Sequence, residues 1–136
     1  MDDCIFCKII KGEIPCQKVY EDENFLAFLD INPINLGHTL LVPKKHYRWV
    51  YDIPEFGEFN QVAQKIALAI TKSDLKPNFV TFLTVGEDVA HAHIHIIPRN
   101  YGDSFKQGLT LISHYKTSNE ELEKTASIIS SQISEI

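Results

Sequence analysis

Apolar side chains recur at spacings of three and four along Phe56, Phe59, Ala63, Ile66 and Ile70, the period of one helical face, and this stripe runs toward Ser73. Asp52 with Glu55 three residues on is a capping-box-like start, and Pro54 suits a first turn. Gly57 weakens the helix by about 1 kcal/mol relative to alanine. A second helix is predicted where Ser118 and Glu121 form another box and Leu122, Ala126, Ile129 and Ile133 repeat the same period. The other apolar segments are short. Lys18–Tyr20 and Phe25–Asp30 flank the turn-like Glu21-Asp22-Glu23-Asn24, which predicts a hairpin. Asn32–Gly37 reads as a loop, and His38–Val42 as a strand ended by Pro43. Phe79–Val85 and His91–Ile97 are two further strands. Short strands with two helices predict the α+β class, and both apolar stripes read as core.

Composition narrows the picture. A chain of 136 residues with 44% hydrophobic and 23% charged residues is one domain's worth, 1–136, able to bury roughly two-thirds of its unfolded surface. There is no repeat and no low-complexity tract. The net charge of −5 argues against a partner bound through nucleic-acid phosphates, which needs an electropositive footprint. Apolar runs such as Phe25–Leu29 and Ile66–Ile70 fall far short of the ~20 residues of a membrane-spanning helix. The acidic start Met1-Asp2-Asp3 does not read as a signal peptide, and three cysteines do not close a disulfide framework. The expected setting is cytoplasmic and reducing.

Candidate chemistry concentrates in His91-Ala92-His93-Ile94-His95-Ile96-Ile97, where three of the six histidines stand at alternate positions. On a strand, residues two apart share a face, so the imidazoles line one surface while Ala92, Ile94 and Ile96 face the other. Such a row suits metal coordination by neutral imidazoles, or attack on phosphorus with neighbouring rings assisting proton transfer. For a lone histidine a structural role is the better reading; for three in strict alternation it is not.

The pattern His-φ-His-φ-His-φ-φ, with φ apolar, resembles the signature of the histidine triad (HIT) family. Cys4–Ile10 with Gly12-Glu13-Ile14-Pro15 resembles its N-terminal stretch. Phe28–Pro33 followed by Gly37–His46 resembles its central stretch, so the motifs cover residues 4–101 and leave a tail, 102–136. The resemblance implies an α+β fold with a central antiparallel sheet, one long helix and a C-terminal helix, paired into a homodimer. It implies a hydrolase or transferase acting at the α-phosphate of a purine nucleotide through a nucleotidyl-histidine intermediate. His93 then stands as nucleophile, His95 as the phosphate contact that assists proton movement, and His91 orients the nucleophile through its carbonyl. Asp30 falls on the ribose hydroxyls, although it also reads as a turn residue. Ile5, Phe6, Ile9, Phe28 and Ile31 wall the base pocket and could equally be core.

One segment departs from the family. Thr84-Val85-Gly86-Glu87-Asp88-Val89-Ala90 is several residues shorter than the Gly-rich loop of many relatives, with Glu87 and Asp88 where Gln and Ser help hold phosphate. Thr84 is nearest to the family's Asn, and backbone N–H groups near Gly86 and Val89 cradle the phosphate in this reading. A carboxylate ~4 Å from a phosphate oxygen costs about 4 kcal/mol at an effective dielectric of ~20, unless it points away or binds a cation.

Cys4 and Cys7 form C-x-x-C, which reads as a redox pair, half of a zinc site or two buried thiols. One branch of the family implies the second reading, with structural zinc on Cys4, Cys7, His46 and His91. Cys16, His38 and His114 receive no role. Two other functions stay open: a non-catalytic nucleotide-binding module, and a zinc-stabilised interaction domain.

Overall fold

The computed structural model describes residues 3–103 and 115–134. Five strands form one antiparallel sheet in the order β1-β2-β3-β5-β4, with β1 Lys18–Glu21, β2 Phe25–Leu29, β3 Thr39–Pro43, β4 Phe79–Leu83 and β5 Ile94–Arg99. Among the described residues three α-helices complete it: α1 Ile5–Ile10, α2 Phe56–Lys72 and α3 Asn119–Ile133.

Side chains alternate across each strand, so the sheet has two distinct faces. Phe25, Ala27, Leu29, Leu41, Ile94 and Ile96 point to one face and pack on Phe59, Val62, Ala63, Ile66, Ala69 and Ile70 of α2 and on Leu122, Ala126 and Ile129 of α3. Each such side chain contributes ~1.5–3 kcal/mol when fully buried. Leu26, Phe28, Leu40 and Val42 point the other way and are covered in part by Phe6 of α1. Strands β2 and β3 are therefore buried on both faces. His95 pairs with Leu40 across the ladder and faces the α1 side, where the cover is incomplete.

The hairpin forms as the pattern predicts, held at its turn by Asp22 Oδ1, which accepts from the N–H groups of Asn24 and Phe25 at 2.8 Å. Helix α3 starts on Ser118, whose Oγ accepts from Glu121 N–H at 3.2 Å, while the Glu121 carboxylate turns to Thr117 Oγ1 at 2.9 Å.

Two expectations are corrected. Helix α2 starts at Phe56 rather than near Asp52, because Ile53 precedes Pro54 and is held extended (φ −73°, ψ 118°). The Asp52 carboxylate instead accepts from Trp49 N–H at 3.2 Å and closes a short 3₁₀ turn over Val50–Asp52. The sheet ladder takes in His95 but neither His91 nor His93, since β5 begins at Ile94. The backbone before it is spoken for by other partners: Ala92 N–H donates to Tyr47 C=O at 2.7 Å, and the His91 carbonyl accepts from a side chain. Helix α1, six residues with one buried position, Phe6, carries too little periodicity to be legible in the sequence.

Candidate active site and metal cluster

The uncovered part of the α1 face is a cavity of about 510 Å³ between α1, the ends of β2 and β3, and the loop before His91. His93 and His95 both line it, with ring centroids 5.0 Å apart. The expected nucleotide residues Ile5, Phe6, Ile9, Phe28, Asp30, Ile31, Gly86 and Val89 line it too. Thr84 does not. Its hydroxyl donates to the His93 carbonyl at 2.8 Å, so it fixes the backbone that carries His93. Asp30 serves as both turn and cavity residue: Oδ1 accepts from Asn32 N–H at 2.8 Å, while Oδ2 lies 3.7 Å from His38 Nε2. Gly86 needs its lack of a side chain, because φ is +77° and a Cβ would lie 3.0 Å from the Trp49 ring.

Hydrogen bonds fix where each imidazole carries its proton. His93 Nδ1–H donates to the His91 carbonyl at 2.7 Å, which leaves the Nε2 lone pair for the cavity. The Phe6 and His93 rings meet edge to face, with centroids 5.1 Å apart and planes at 86°. His38 Nδ1 accepts from Ile34 N–H at 3.1 Å, so the neutral ring donates from Nε2 to His95 Nδ1, 2.9 Å away. Neutral His95 then carries its proton on Nε2. One ring thus offers an electron pair and the other a proton. Burial pushes His93 below the ordinary histidine range and His95 down to about 4.

His38, beside the start of β3, is the site residue to which the sequence assigned no role. A polar residue entering a run of five buried strand positions was the available signal. Cys16, Ile14 and Pro15 also line the cavity. His114 lies outside the described residues.

The titration of His95 has a consequence for stability. Its charged form is favoured in the unfolded chain, near pKa 6.5, over the folded one, near 4. The unfolded state therefore binds more protons between those values, and stability falls as pH drops from about 6.5 to 4. The loss expected from this one ring is about 3 kcal/mol. His95→Asn should flatten that part of the pH–stability curve in urea titrations; equal slopes in both proteins would contradict the assignment.

His91 turns away from the cavity. Its Nε2–H donates to the Pro43 carbonyl at 2.9 Å, so the Nδ1 lone pair faces Cys4 Sγ at 3.3 Å and Cys7 Sγ at 3.5 Å. His46 Nδ1 stands 3.3 Å from Cys7 Sγ, and the four donor atoms all lie within 4.8 Å of one another. Tetrahedral zinc, with bonds of ~2.3 Å to sulfur and ~2.0 Å to nitrogen, holds such atoms ~3.5 Å apart. The donor set fits zinc in number, softness and spacing. Burial and the adjacent Cys4 push the Cys7 thiol up to about 11, a cost that a divalent cation removes.

Fold and site are those of the histidine-triad class. The chain belongs to the HIT family: the HIT domain matches residues 11–102. An uncharacterized HIT-like protein of Methanocaldococcus jannaschii is 50% identical over 105 residues, covering 74% of this chain and 81% of that one. An adenosine 5'-monophosphoramidase of Schizosaccharomyces pombe is 35% identical over 132 residues, covering 96% and 98%. Among solved structures, a zinc-bound histidine triad family protein from Mycobacterium smegmatis superposes with a TM-score of 0.83 at 31% identity, covering 98% of this chain and 95% of that one. Among the described residues, no helix is long and apolar enough to cross a membrane.

Proposed function

We propose that the protein hydrolyses a purine nucleoside 5'-phosphoramidate or related ester or anhydride at the α-phosphate, through a nucleotide bonded to His93. The observation that carries this reading is the His93 Nε2 lone pair, aimed into a cavity beside the proton of His95. The base lies among Ile5, Phe6, Ile9, Phe28 and Ile31, and Asp30 accepts from the ribose hydroxyls. The backbone near Gly86 and Val89 holds the phosphate oxygens.

His93 Nε2 forms the bond to phosphorus, and the electron pair of the breaking bond departs with the leaving atom. That atom takes the Nε2 proton of His95, which has first gained a second proton from solvent on Nδ1 as the phosphate anion binds beside it, so a neutral ring is left behind. While charged, His95 donates from Nδ1 to His38 Nε2, and the His38 proton shifts to Nδ1 at the expense of the Ile34 contact. Water then attacks phosphorus, returns a proton to His95, and frees the nucleotide and His93. His91 and Thr84 hold His93 in place. Conversion of adenosine 5'-phosphoramidate to AMP tests the reading, and nucleotide binding without turnover of any P–N or P–O substrate would overturn it.

Zinc on Cys4, Cys7, His46 and His91 is part of the proposal. It supplies a crosslink that ties the N-terminus to the residue whose carbonyl orients His93. The M. smegmatis structure and the donor geometry support it.

A homodimer is proposed on a separate observation. β4 is an edge strand with Phe79 and Phe82 exposed, followed by exposed Val85. An open apolar edge is a template for a second strand. Phe82→Glu is expected to turn a dimeric mass in light scattering into a monomeric one, and a monomeric parent at micromolar concentration would contradict the proposal.

A further inference from the structure

The cavity is unusual in charge for a site that takes a nucleotide. Three carboxylates line it, Asp30, Glu87 and Asp88, and among the described residues no lysine or arginine does. The nearby guanidinium of Arg48 is turned behind the loop: Nη1 donates to the Gly86 carbonyl at 2.8 Å, and the group stacks 3.6 Å above the Trp49 ring. Glu87 and Asp88 are exposed, and among the described residues neither forms an ion pair. Asp88 stands close enough for its charge to act on both His93 and His95. Among the described residues the nearest cation is Arg48, whose charge reaches His93 but whose guanidinium is held by the Gly86 carbonyl, so the two acids line the cavity without an ion-pair partner of their own. Asp30 is accounted for by the ribose; Glu87 and Asp88 have no partner on a bare nucleoside monophosphate.

A polyphosphate leaving group would bring several negative charges to this end of the cavity, each repelled by both acids. An amine leaving group that carries a second, protonated amine would supply the missing partner instead. We propose that Glu87 and Asp88 select nucleoside 5'-phosphoramidates whose leaving amine carries a positive charge, and reject dinucleoside polyphosphates. The inference rests on the reading of the cavity as a nucleotidyl-transfer site. In the step concerned, His93 Nε2 bonds to phosphorus and the P–N bond breaks. The leaving nitrogen keeps the electron pair and takes one proton from His95, and the distal ammonium is unchanged throughout.

Four adenosine substrates test this: phosphoramidates of 1,3-diaminopropane, of butylamine and of β-alanine, which are cationic, neutral and anionic at the far end, and diadenosine triphosphate. The expected order of kcat/KM is cationic, neutral, anionic, with at least a tenfold ratio between the first and the third at low salt. Glu87→Gln with Asp88→Asn should bring that ratio close to one, and high salt should shrink it in the parent. Equal rates for the cationic and anionic amidates would overturn the proposal and leave the hydrolase reading intact. So would magnesium-dependent cleavage of diadenosine triphosphate at a comparable rate, which would make the acid pair a metal seat. No hydrolysis of even the neutral amidate would remove the hydrolase reading itself, and the proposal with it.

Discussion

His93→Ala is expected to lose turnover by ~10⁴-fold or more while AMP binds within a few-fold of the parent affinity. The asymmetry follows from what the ring does. In the proposed reaction Nε2 is the atom that bonds to phosphorus, so its loss removes the reaction path, whereas the proposed base and ribose contacts come from other cavity residues, among them Phe6, Phe28 and Asp30, and stay in place. Steady-state hydrolysis with isothermal titration of AMP checks both halves. The deficit should be the same for every leaving group, good or poor. His95→Asn should behave otherwise: a proton donor is worth ~10²–10⁴-fold with a poor leaving group and much less with a good one such as p-nitrophenolate. An alanine variant that hydrolyses within tenfold of the parent would eliminate His93 as nucleophile.

Removing the proposed zinc has the second-largest expected effect, on stability. A site occupied at free zinc ~1,000-fold above its dissociation constant adds about 4 kcal/mol to the folded state. For a chain of this length that corresponds to a melting temperature ~10–15 °C higher. Calorimetry with and without chelator should show this drop, and Cys4→Ser with Cys7→Ser should melt at the chelated value whether or not zinc is added. Metal analysis should give one zinc per chain in the parent. Identical melting with and without chelator, or zinc far below one per chain, would contradict the assignment. Activity should fall less than stability suggests, because His93 keeps its Thr84 anchor when His91 loosens.

The sequence carried the parts of this molecule that rest on local pattern. The stripe from Phe56 to Ile70, all of it buried except the exposed Phe56 at the helix start, and the box at Ser118 fixed α2 and α3 because period and cap chemistry are local properties. The hairpin was legible for the same reason. Where neighbours in space decide, the pattern misled. Alternation put all three histidines on one strand face, yet side chains and Tyr47 take the backbone partners before Ile94, and His91 swings to the cysteines. The aliphatic half of the alternation held, with Ala92, Ile94 and Ile96 buried together against α2. Thr84 read as a ligand contact by position but supports the His93 backbone. His38 escaped notice because its role lies in a ring 57 residues away, whose tautomer it sets.

The most direct test of the central claim is intact-mass spectrometry of protein quenched in acetone seconds after mixing with adenosine 5'-phosphoramidate. The account predicts one adenylyl group per chain, mapped by peptide fragmentation to His93, stable to hydroxylamine at neutral pH and absent in His93→Ala. Rapid turnover with the adduct on another residue would contradict it.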